Sequence, residues 1–297
     1  MRKSILLAIV LMVTLVAVPA FASVQNVKIS GSIDNTWLYR DNFDFGDTFA
    51  GGNRANPNPT VENIHQNVFI TQTTLQVDAD LTDQVSTTVG LINERAWDQT
   101  RADAEYNVDL YLAYVTLREM LYSPLTVVVG RQVFNYGNSL IVDATGTNDV
   151  ATPDSGLQGF AEDLTKQTSL DAIRLIFDYN PLTLELVYSK LDENVAAAAV
   201  DRATDDIDLY GINSTYELGD EMETQVEAYL FARINESTNI GTGGAGTKSD
   251  TLYVPGLRAS ANVLDGLNVQ GEVAWQRGSN VSDSTTQADN EKRDAMA

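Results

Sequence analysis

The chain holds a single imidazole, His65, in 297 residues. Nucleophilic catalysis of the Ser-His kind needs a base beside its nucleophile. No strand-borne serine motif accompanies His65, and the residue reads as a surface histidine. There is no cysteine, so thiol-ligated zinc and iron–sulfur sites are excluded. Carboxylates are abundant, with 41 acidic residues against 19 basic ones and a formal net charge of −22. Asp41, Asp44 and Asp47 are spaced by three, and Asp201, Asp205, Asp206 and Asp208 form a cluster. Hard oxygen ligands of this sort can hold calcium, but neither run has the spacing and glycine of an EF-hand loop. Both read as solvated acidic loops. The stretch Gly241 to Lys248 resembles a phosphate loop but fails the pattern, because lysine must directly follow the second glycine. It reads as a flexible loop. No enzyme, cofactor or metal site is expected. An acidic chain of this kind also lacks the clustered Lys and Arg that nucleic acid requires.

What remains is charge carried on strands. Period-two alternation recurs from about residue 27 to about residue 277. Val27, Ile29, Gly31, Ile33, Trp37 and Tyr39 share one face, opposite Lys28, Ser30, Ser32, Asp34, Thr36 and Arg40. Ile173, Leu175, Phe177 and Tyr179 oppose Arg174 and Asp178, and Leu182, Leu184, Leu186 and Tyr188 oppose Thr183, Glu185 and Ser189. Met222, Val226, Ala228, Leu230 and Ile234 oppose Glu223, Gln225, Glu227 and Arg233. Tyr106, Val108, Leu110, Leu112 and Tyr114 are expected on one face, against Asn107, Asp109 and Tyr111. The run 124–134 is apolar on both faces, and its register is open. Such strands present one greasy and one wet face, and aromatics close several greasy faces, as at a membrane girdle.

The connections are sorted by length. Turns near 81–83, 121–123, 180–181, 218–220 and 264–266 are short. Polar loops near 41–66, 96–105, 135–167, 191–205 and 235–250 are long. Outer-membrane barrels have this asymmetry, with short periplasmic turns and long extracellular loops. A soluble sandwich has no reason for it. The expected fold is all-β: an antiparallel transmembrane β-barrel, about 11 strands here, as part of a barrel of about 16–18 strands.

The first residues agree with export. Arg2 and Lys3 precede an apolar run, Ile5 to Val18, and Ala20-Phe21-Ala22 supplies small residues for a signal peptidase. Residues 1–22 are expected to be a signal peptide and 23–297 the barrel domain. No closing strand with a terminal aromatic follows Arg277. An odd strand number would leave a lipid-exposed edge, so a further C-terminal part is expected.

The segment Val129-Gly130-Arg131-Gln132-Val133-Phe134-Asn135-Tyr136-Gly137-Asn138, with Leu170-Asp171-Ala172-Ile173-Arg174-Leu175 about thirty residues on, resembles the paired motifs of the alginate export porin family. The resemblance implies an outer-membrane pore, in the best-known members for an anionic polysaccharide, and distant members are porins of unknown substrate. It implies that Arg131 and Arg174 are pore arginines, with Gln132 and Asp171 as neighbours. Independently, a lipid-facing arginine near the midplane costs roughly 2–4 kcal/mol, so Arg131 should face the lumen or sit near a rim. Lys28, Asp34, Arg174, Glu185 and Arg233 fall on polar faces and join the expected pore lining. Arg174 has Asp171, Asp178 or Glu185 as a possible ion-pair partner. Acids outnumber bases on these faces, so the pore is expected to favour cations or neutral solutes. The expected partners are outer-membrane lipid, a small solute or polysaccharide and the barrel-assembly machinery. A structural or adhesive barrel with acidic, ion-binding extracellular loops and a plugged lumen is the alternative, and the loop 135–167 is the element that would form a constriction by folding inward.

Overall fold

Alternating side chains leave the backbone to pair with its neighbours, and here every strand pairs with the next one in the chain. The structure, a computed structural model, describes residues 26–41, 65–97, 107–120, 124–143, 161–193, 206–235, 250–281 and 290–297. The first six strands are β1 (Asn26–Asp41), β2 (His65–Thr82), β3 (Val85–Ala96), β4 (Asp109–Leu117), β5 (Leu125–Gln132) and β6 (Leu170–Asp178). The remainder are β7 (Leu182–Glu193), β8 (Asp206–Glu217), β9 (Gln225–Asn235), β10 (Asp250–Leu264), β11 (Leu267–Val281) and β12 (Asn290–Met296). They form one antiparallel sheet in sequence order, β1 to β12. This is the meander of an up-and-down barrel wall. Among the described residues, twelve strands replace the expected eleven or so, because the chain pairs again at Asn290–Met296.

Loop sorting holds in the strand boundaries. Only a few residues separate β2 from β3, β6 from β7 and β10 from β11, whereas β1 to β2 and β5 to β6 are far apart in sequence. All long connections leave from one end of the sheet. The loop tips at 42–64, 98–106, 144–160, 194–205 and 236–249 lie outside the described residues, as do the signal segment, Asp44, Asp47 and the Gly241–Lys248 stretch. The short turn at 121–123 lies outside the described residues, whereas that between β8 and β9 has a visible cause. Between β8 and β9, Asp220 accepts from the backbone N–H of Thr224 and from its hydroxyl, each at 2.7 Å. Those donors hold the Asp220 carboxyl below its ordinary 3.8. The turn's carboxylate contribution is therefore complete above pH about 4 and is lost as acidification passes the depressed value. The protection of the Thr224 amide proton, its exchange rate taken relative to the intrinsic rate at each pH, should fall only in that acid range, and Asp220→Ala should show the lower protection above it.

The two faces of the sheet differ. One is overlaid by two pieces of the β5–β6 connection, residues 133–143 and 161–168; the other is bare. On the bare face, Ile29, Ile33 and Trp37 are each more than 60% exposed. Leu75, Ile173, Ile212, Leu230 and Leu257 continue this apolar surface across the sheet. Aromatics mark its two ends. At the long-loop end, Trp37 donates its indole N–H to Asn67 and Trp97 donates to Thr71, while Phe69 packs 5.0 Å from Trp97. Tyr188 and Tyr210 stand 5.2 Å apart at the same end. At the short-turn end, Phe177 and Tyr179 stack at 6.3 Å. From Asp171 to Tyr179 the strand runs about 26 Å, or roughly 20 Å along the normal at barrel tilt. That is close to the apolar band of about 25 Å on such walls.

One expected face assignment fails. Leu110 pairs with Leu91 on the bare face, but a register shift follows, and Leu112 and Tyr114 pair with Gly90 and Thr88 on the overlaid face. A bulge inserts one residue and inverts the alternation after it. The run 124–134 acquires its register from β6: Val128 and Gln132 are buried on the overlaid face, and Val129 is exposed on the bare one.

Candidate functional site: the overlaid face and its strap

Residues 133–143 form a small hairpin strap. Tyr136 N–H donates to the Val142 carbonyl at 3.1 Å, and Asn135 bridges Asp143. Phe134, Tyr136 and Val142 are buried against Ala172, Val187, Leu209, Tyr229 and Phe231. The Phe231 ring lies 5.1 Å from Tyr136 and 5.2 Å from Tyr229. Apolar contact seats the strap; polar contacts fix its position.

Three wall carboxylates hold the strap. Glu185 accepts from the Tyr136 hydroxyl and pairs with Arg174. Arg174 also donates to Gln132 at 3.4 Å and lies over the Phe134 ring at 5.1 Å. Glu227 accepts from the Gly137 N–H at 3.0 Å. Glu272 accepts from the Asn138 N–H and from the Tyr229 hydroxyl, each at 2.6 Å. Arg258 completes the arrangement, donating to Asn138 Oδ1 at 2.6 Å and approaching Glu227 at 3.5 Å. Burial and the adjoining Glu185 push the Tyr136 hydroxyl well above its ordinary range, so it remains a donor.

Gly137 has φ of +61°, and a Cβ there would run into the Glu272 carboxylate. A left-handed L-residue costs roughly 1–2 kcal/mol before any clash. Gly137→Ala should therefore destabilise the strap by at least that much. Limited proteolysis within 133–143 should show it as faster cleavage, with the wall intact.

The second piece, residues 161–168, sits on β1 to β4. Ala161 and Leu164 pack with Ile70, Leu38 and Val68. Glu94, buried on β3, accepts from Gln72 at 2.6 Å, from the Thr165 hydroxyl at 2.7 Å and from the Lys166 N–H at 2.7 Å. Arg40 pairs with Asp163 through two bonds of 2.9 and 2.6 Å, and Lys166 pairs with Asp34. One connection thus has two footings on the same face, on β1 to β4 and on β6 to β11.

Six of the eight expected pore-lining residues share this face: Lys28, Asp34, Gln132, Arg174, Glu185 and Arg233. Among the possible partners, Arg174 takes Glu185. Arg131 and Asp171 differ. They face each other across β5 and β6 on the bare side and form a two-bond pair of 3.1 and 2.7 Å. Parity decides this, since Ala172 beside Asp171 is buried under the strap. Their level at the long-loop edge of the apolar surface removes most of the lipid penalty, which falls toward about 0–1 kcal/mol near an interface. Alternation puts Gln72 on a polar strand face without marking it as a footing, and it does not single out Glu94 or Arg258. The alternation of Thr88, Gly90, Ile92 and Glu94 is the only signal for Glu94, and three small or apolar residues blur it.

No protein-family model matches the chain, and no curated protein sequence matches it. Solved structures with similarity include porins. A high-pH structure of OprB from Pseudomonas putida has 9% identity over 86% of this chain and 71% of that one, with a TM-score of 0.43. A mutant of the Rh. blastica porin has 13% identity over 85% and 95%, at 0.34. An anion-selective porin from Comamonas acidovorans has 14% identity over 87% and 85%, also at 0.34. At these TM-scores the functional reading rests on the chain's own geometry.

Proposed function

We propose that the chain is the wall of an outer-membrane β-barrel that passes small solutes, narrowed from within by the β5–β6 strap. The observation that carries this is the inversion of the sheet. Its apolar, aromatic-edged face is bare, and its buried carboxylates and most of its ion pairs lie on the overlaid face; Arg131–Asp171 and Arg277–Asp294 stand near the long-loop end of the bare face. A water-soluble sheet covers its apolar face; a barrel in lipid does the reverse. In this reading the bare face meets lipid and the overlaid face lines the lumen. Closure of the wall supplies the pairing that lipid demands of every edge.

The polysaccharide-export reading draws on the resemblance at 129–138 and 170–175. Arg131 stands on the lipid side, and Arg174 is engaged by Glu185. Neither is free to line an anion path, so small solutes are the substrate class we adopt. Reconstitution of the full-length protein into planar bilayers tests the proposal. Stepwise conductance is expected. A folded, inserted protein that never conducts would establish the plugged, structural barrel instead.

A further inference from the structure

A pore lumen is ordinarily polar, yet one part of the overlaid face is not. Leu170, Leu209, Phe231, Leu252 and Val254, from four strands, wall a cavity of about 210 Å³ beside the strap residue Ile141. It lies toward the long-loop end, the side from which external solutes would enter. Arg233 rises inside this apolar row. In register it is flanked by Leu209 on β8 and Leu252 on β10. Among the described residues its ion-pair partner is Asp250, at 3.9 Å, too long for a hydrogen bond. Asp143 also lines the cavity.

We infer that this cavity is a transit site for small carboxylates with a compact apolar body, such as a single aromatic ring, with Arg233 as the carboxylate anchor. The inference rests on the overlaid face being the lumen. Size supports it, since an apolar cavity of about 150 Å³ already accommodates benzene, and the remaining space suits one substituent. Charge supports it as well. A guanidinium offers five N–H donors in a fork that matches a carboxylate, and the loose approach of Asp250 leaves that fork to be competed for. The neighbouring Asp143 and Asp250 keep the affinity modest, as a site that must release its solute requires.

Equilibrium dialysis of the detergent-solubilised full-length protein against benzoate, with protein-free micelles as the blank, tests the site without requiring conduction. Saturable benzoate binding is expected. Acetate, which lacks the ring, and benzyl alcohol, which lacks the charge, should each bind about tenfold or more weakly. Arg233→Gln should remove the preference for benzoate over benzyl alcohol and leave ring binding in place. Leu252→Trp, which fills the cavity, should abolish both. Each variant is first checked for the heat-dependent gel shift of a folded barrel. Absence of saturable benzoate binding, or an unchanged benzoate preference in folded Arg233→Gln, overturns the inference. Benzoate binding without bilayer conductance would preserve the site and refute the pore.

Discussion

Removing the Glu185 carboxylate with Ala is expected to destabilise the protein by about 3–5 kcal/mol, the usual cost of stranding one partner of a buried ion pair. The side chains of Glu185 and Arg174 are 10% and 19% exposed. Their loss of contact with each other is the smaller part of the effect. The larger part is that the Tyr136 hydroxyl loses its acceptor and the guanidinium stays under the strap with its charge uncompensated, keeping only the long contact to Gln132. Glu185→Gln keeps an acceptor and should cost about 1–3 kcal/mol. The double replacement Arg174→Met with Glu185→Leu removes both charges and should be closer to neutral than Glu185→Ala. Urea unfolding in lipid vesicles orders the three. In bilayers Glu185→Ala should also conduct more, and more noisily, because residues 133–143 lose a principal tether. Equal stability for Glu185→Ala and the parent would mean that the strap is not held from this point.

Leu230→Arg carries the second large effect. Leu230 lies mid-strand on the bare face, 45% exposed, with Ile212 and Pro255 as its lateral partners. An arginine at the bilayer midplane of a barrel costs roughly 2–4 kcal/mol. The paired control is Gln76→Arg on the overlaid face of β2, beside Asp78, where a wet lumen should limit the change to about 0.5 kcal/mol. The difference between these variants, in refolding into vesicles, is a direct reading of which face meets lipid. A soluble sheet would show no such asymmetry.

Much of this architecture is legible in the sequence, and the reasons are local. A strand alternates its side chains with period two, so Ile29 through Tyr39 declare a face without help from any distant residue. Turn chemistry, such as Asp220 with Thr224, is equally local. The failures are non-local. The inversion in β4 depends on an extra residue set against Gly90 of a neighbouring strand, which no single-strand pattern contains. The cost of a charge in lipid points Arg131 to the lumen or a rim, and the motif resemblance puts Asp171 near it, but that the two pair on the bare side is set by the β5–β6 register. The strap is recognisable in the sequence as an element that would constrict the lumen, but its anchors are not. Glu94 and Glu272 look like any other wall carboxylates until residues 165 and 138 arrive above them.

The order of the strands also bears on how the molecule comes into being. With every ladder formed between consecutive strands, the contacts are short in sequence, and hairpins can dock one after another without waiting for a distant partner. The β5–β6 connection is the exception. It reaches back to Asp34 and forward to Glu272, so it cannot finish seating until sheet on both flanks exists. A nascent passage would therefore stand unobstructed during biogenesis and acquire its constriction only as a last step.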